Sequence, residues 1–158
     1  MKSTTIGSAC KTALAVAITG SLFAGTAQAQ LAGHNVILVH GFQQEDLANP
    51  PANLQEVKSA GEDYWRTFWL SRSEARIDWG SDGRVEGGIA QQAYQQLRQI
   101  SQQGLCNNWC LVVSHSTGDL VTRYLLENQA RWLQSEGLPP LKILAALDYS
   151  GAGGGTEL

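Results

Sequence analysis

Ser114-His115-Ser116-Thr117-Gly118 concentrates more potential chemistry than any other five residues of the chain. The apolar run Trp109-Cys110-Leu111-Val112-Val113 leads into it, and a helix-forming stretch leaves it at Gly118 without a linker. A serine on a sharp strand-to-helix turn, with small residues two before and two after, is held in a strained conformation that exposes its hydroxyl for nucleophilic attack. Ser114 and Gly118 meet that size requirement, so Ser116 is the expected nucleophile. The plainer role for the same residue is a helix N-cap. A second cluster, Val39-His40-Gly41-Phe42, ends another apolar run. An acyl-transfer nucleophile needs hydrogen-bond donors where the oxyanion develops, and losing one such donor slows the reaction by ~10²–10³-fold. The backbone N–H groups of Phe42 and of Thr117, the residue after the nucleophile, are the expected pair.

Both clusters have to be carried by elements that end at one place. Residues 35–39 are apolar and β-branched, which predicts a buried parallel strand. Residues 43–60 are mostly polar and include Asn49-Pro50-Pro51, so they read as an irregular excursion. The aromatics of residues 64–70 recur at helical spacing, predicting a helix with Trp65, Phe68 and Trp69 turned to the core. A short strand is expected over 75–79 with a turn over 80–83, then an amphipathic helix over 88–103 carrying Ile89, Ala93, Leu97 and Ile100. A strand over 109–113, a helix over 118–129 and a last strand over 141–147 complete the pattern. Asp119 and Arg123, four apart, read as an ion pair on that second helix. The alternation of strands and helices predicts an α/β fold with a mostly parallel sheet, helices on both faces, and ligand sites at the carboxyl ends of the strands.

Composition narrows the class. The 158 residues are 43% hydrophobic and 16% charged, enough for one domain and too apolar for a disordered tail. Eleven basic residues against fourteen acidic ones, with no basic run, argue against a nucleic-acid partner. Residues 1–29 read as a secretory signal: Lys2 and Lys11, an apolar core over 12–24, and the small-x-small site Ala27-Gln28-Ala29. That core is short of the roughly 20 residues a membrane span needs, so no stable span is expected. The exported remainder, 30–158, keeps Cys106 and Cys110, for which an oxidising compartment favours a local disulfide over two separate buried thiols. No His or further Cys stands nearby to complete a zinc site.

The segments NVILVHGF, DYWRTFWL, LVVSHSTGDLVTRYLLEN and KILAALDYSGAGGGTEL together resemble the α/β-hydrolase fold, and within it the bacterial secreted lipases and esterases. The resemblance covers 35–158 and corresponds to the N-terminal part of such a domain. It implies that Ser116 attacks an ester carbonyl and forms an acyl-enzyme, that Phe42 and Thr117 supply the oxyanion hole, and that His40 and Gly41 shape the loop around it. His40, Gly41 and His115 would then line the substrate site, the substrate being an ester or lipid, with no cofactor and no metal. In this fold the triad runs Ser, acid, His along the chain. No His follows His115, and Asp148 at a strand end is the one acid the resemblance offers. The expectation is therefore a domain truncated after the strand that follows the elbow helix, with the catalytic His, and the acid if Asp148 does not serve, lying elsewhere. The alternative of another class is a non-catalytic secreted protein that binds a lipid or a partner on the same scaffold.

Overall fold

A computed structural model describes residues 30–67 and 69–154. Residues 1–29, read above as a secretory signal, Phe68 and residues 155–158 lie outside the described residues.

The sheet is organised by β2 (His34–Val39), whose side chains alternate between two apolar clusters. Ile37 and Val39 point to one side, where Val112 of β4 (Cys110–His115) joins them under α3 (Ala90–Gln102) and α4 (Gly118–Ser135). Val36 and Leu38 point to the other, with Val113 and with Trp65 of α2 (Leu54–Trp65). A strand buried on both faces has no polar positions to spare, which is why 36–39 is continuously apolar. Burying one such side chain contributes about 1.5–3 kcal/mol.

β2 pairs parallel with β4 along Asn35–Val39, and β4 pairs parallel with β5 (Ile143–Tyr149). On its other edge β2 pairs parallel with β3 (Ala75–Ile77) and antiparallel with β1 (Gln30–Leu31). The fold is thus α/β with a mixed, mostly parallel sheet. No described helix is long and apolar enough to cross a membrane.

Three elements depart from the sequence reading. The helix expected over 64–70 instead spans Leu54–Trp65, largely inside the stretch read as irregular, and the short α1 (Glu45–Ala48) lies there too. Its cause is a capping box directly after Pro50-Pro51. The Asn53 side chain accepts from the Glu56 N–H at 3.0 Å, and Glu56 reaches back to Asn53 Nδ2 and the Ala52 N–H, both at 2.9 Å. Val57, Gly61 and Trp65, four apart, make the buried stripe. The helix stops before the remaining aromatics, and a 3₁₀ turn, Leu70–Arg72, follows. The β1–β2 hairpin turns on Ala32 and Gly33, at φ 53° and 82°, which matches a two-residue turn with both central residues left-handed. Finally, α4 runs six residues past its expected end, to Ser135.

Candidate active site

The chain leaves β2 toward β3 on one side and returns across it to β4 on the other. Loops that depart in opposite directions from neighbouring parallel strands leave a crevice at their carboxyl ends, where ligands bind in open α/β sheets. The two sequence clusters meet in that crevice.

Ser116 is the turn between β4 and α4 and has φ 53°, the left-handed region that costs a non-glycine residue about 1–3 kcal/mol. Neighbours hold it there. Its N–H donates to the Tyr149 carbonyl at 2.9 Å, and its carbonyl accepts from the Ala152 N–H at 3.1 Å. The hydroxyl has no hydrogen-bond partner among the described residues. Gly118, opening α4, has no room for a side chain: a Cβ there would stand 2.4 Å from the His40 carbonyl oxygen and 2.6 Å from that of Val39. Gly41 is equally constrained, since its Cβ would lie 2.9 Å from Ser116 Cβ and 2.6 Å from the Tyr64 hydroxyl. These two glycines let the end of β2 lie against the elbow.

The amides of Phe42 and Thr117 have no protein acceptor among the described residues. Thr117 also stands at the N-terminus of α4, where free N–H groups and the helix dipole favour negative charge. Its own hydroxyl is buried without a partner.

None of the three histidines is hydrogen-bonded to the Ser116 hydroxyl. His40 is fully buried. Its Nε2 accepts from the Trp79 N–H at 3.0 Å, so the proton is on Nδ1, which donates to the Gly41 carbonyl at 2.8 Å. Burial holds its pKa down at about 4, so the ring is neutral near pH 7. The expectation that His40 lines the substrate site is corrected: with no exposed surface and both nitrogens bonded, it is a structural residue of the loop. His115 bonds through Nδ1 to the Tyr64 hydroxyl. It lines an aromatic cleft of about 350 Å³ with Tyr64, Trp65, Trp69 and Tyr149. His34 lies at the opposite end of β2, its Nδ1 3.1 Å from the Asn108 carbonyl oxygen.

Asp148 is exposed near the end of β5 and accepts from the buried Ser114 hydroxyl at 3.2 Å. The same carboxylate lies over Gly151, where a Cβ would displace it from its present position. Asp119 pairs with Arg123 at 2.9 Å on the first turns of α4, and that bond raises the Arg123 pKa above its usual value. Cys106 and Cys110 are joined in a disulfide at the far end of β4. Trp65 is buried in the core, Trp69 packs beside it, and Phe68 lies outside the described residues. Asp78, near the turn at 80–83, is fully buried and ion-paired with Arg76 at 3.2 Å. Its partner Arg76, with Lys58 and Gln99, lines a cleft of about 390 Å³ between α2, β3 and α3.

Sequence reasoning missed three side chains here. Tyr64 was an anonymous aromatic on a helix face, yet its hydroxyl joins His115 beside Gly41. Trp79 and Ser81 were the end of a strand and a turn, yet both bond to the loop that carries Phe42. No local spacing announces contacts between segments 38 and 39 residues apart.

No protein-family model, curated protein or solved structure matches this chain.

Proposed function

We propose that this chain is a serine hydrolase of carboxylic esters, of α/β-hydrolase type and lipase- or esterase-like, exported by the leader 1–29. The observation that carries the reading is Ser116 at φ 53°, its hydroxyl unbonded and its Cβ against Gly41. Non-glycine strain of this kind clusters at functional sites, and nothing in the turn needs a serine for structure alone.

In this reading the Ser116 hydroxyl attacks the ester carbonyl and gives up its proton to a base. The amides of Phe42 and Thr117 hold the oxyanion, the alcohol leaves with a proton, and water hydrolyses the acyl-enzyme to acid and free serine. None of the three histidines is hydrogen-bonded to the Ser116 hydroxyl: His34 lies at the far end of β2, His40 is bonded through both ring nitrogens, and His115 bonds Tyr64 through Nδ1. Asp148, exposed and oriented by Ser114, is the acid the chain offers to that base. The test is hydrolysis of short p-nitrophenyl esters by the native secreted protein. Ser116→Ala abolishes turnover with an unchanged circular dichroism spectrum; equal turnover by the variant moves the nucleophile elsewhere.

The rival reading is a non-catalytic binding protein on this scaffold, and the lack of a histidine hydrogen-bonded to the Ser116 hydroxyl favours it. It predicts no turnover by either form, together with binding of a lipid or partner that Ser116→Ala leaves intact.

A further inference from the structure

Residues 79–81 grip the loop after β2 from both sides. Trp79 donates its backbone N–H to His40 Nε2 and its indole N–H to the His40 carbonyl, each at 3.0 Å. Its ring stacks on the imidazole at 5.1 Å between centroids and 6° between planes. Ser81 Oγ accepts from the Gln43 N–H at 2.9 Å, and the Ser81 N–H is fixed by the buried Asp46 carboxylate at 2.7 Å. Residues 40 and 43 are therefore both bonded to one three-residue segment. Between them lie Gly41, against Ser116, and Phe42, whose amide has no protein acceptor among the described residues.

A donor stabilises an oxyanion only if it is already aimed when charge develops, since reorienting it during reaction costs part of the gain. We propose that Trp79 and Ser81 are the positioning residues that aim the Phe42 amide at the oxyanion of a Ser116 adduct. This inference rests on the hydrolase reading of Ser116. Neither side chain touches substrate. Each acts through the backbone that it holds.

Two phosphonofluoridates that differ in one atom separate positioning from mere stability. With the P=O reagent, Ser116 Oγ bonds to phosphorus, fluoride leaves, the hydroxyl proton goes to base, and the phosphonyl oxygen takes the oxyanion position. The P=S reagent follows the same course with a sulfur that accepts hydrogen bonds poorly. Trp79→Phe removes the indole N–H and keeps a ring on His40, and Ser81→Ala removes only the Gln43 contact. Each lowers the P=O labelling rate about tenfold, within the ~10²-fold that a 1 Å misplacement costs. Each leaves the P=S rate within about twofold, so the oxo/thio ratio collapses. Ser81→Thr, which keeps a hydroxyl, restores the ratio. Equal loss with both reagents, or no loss with either, overturns the positioning role while the hydrolase reading stands. Absence of wild-type labelling by both reagents removes the hydrolase reading and this inference with it.

Discussion

The sheet has a covered half and a bare strand, and Ser116 is fastened to both. β2 and β4 are enclosed: Val36, Leu38, Val39 and Val113 show no exposed surface. β5, hydrogen-bonded to β4 along its length, is open, with Leu144 53%, Leu147 41% and Tyr149 48% exposed. The elbow draws its constraint from each. Gly41 and Gly118 wedge it against the enclosed β2, while the Tyr149 carbonyl and the Ala152 amide hold its backbone from the open side. Buried polar groups follow the same division: His40, Asp78 and Ser114 are fully enclosed, and β5 buries none. Stability thus comes from the covered half, whereas β5 contributes backbone geometry at the site.

The largest effect should come from the covered half. Leu38→Ala, in a fully buried site, is expected to cost about 2–5 kcal/mol in urea unfolding. A cost below about 1 kcal/mol would mean that the division is drawn in the wrong place.

A comparable effect is hidden by compensation. His40, lowered to about 4, stays neutral when folded but is protonated near 6.5 when unfolded, so its contribution to stability is lost as pH falls from about 6.5 to 4. Asp78, raised to about 6 by burial against the opposing Arg76 charge, takes up a proton when folded before the unfolded chain does at 3.8. Its contribution therefore grows as pH falls from about 6 to 3.8. Between pH 4 and 6 the two slopes oppose each other, and stability changes little on their account. Asp78→Asn leaves the His40 slope alone, so the variant should lose about 1.4 kcal/mol per pH unit between pH 6 and 4 relative to wild type. Parallel pH profiles for the two proteins would show that the Asp78 carboxyl is not raised by burial as described.

Next in size is the disulfide. Closing so short a loop is worth about 2 kcal/mol by loop entropy, so the Cys106→Ala/Cys110→Ala pair should lower stability by that amount and leave Ser116 chemistry alone, being at the other end of β4. Lost reactivity at full stability would connect the two ends of the strand. The smallest change belongs to the bare strand: Leu147→Ala should cost about 1 kcal/mol or less. A core-like cost there would mean that the β5 side chain is covered in the native protein.

The parts of this architecture that are local in sequence were legible. Small-x-Ser-x-Gly between an apolar strand and a helix is a steric requirement written into adjacent residues, and the elbow lies where that pattern puts it. The two apolar clusters of β2 and β4 likewise follow from continuous apolar runs. α2 was misread because its stripe is only Val57, Gly61 and Trp65 and its start follows two prolines, although Pro-Ala-Asn-x-x-Glu there is a helix start signal. His40 was misassigned for a different reason. Its strand-end position suits a substrate contact, and only the stacked Trp79, distant in sequence, turns it into the buried support of its own loop.

The central claim is that the strained elbow presents Ser116 as a reactive nucleophile, and the most direct test is adduct mapping on the native protein. Incubation with a fluorophosphonate followed by peptide mass analysis should give a single adduct, on Ser116, that is lost in Ser116→Ala. An unmodified Ser116 under conditions that fully label a control serine hydrolase would contradict the claim.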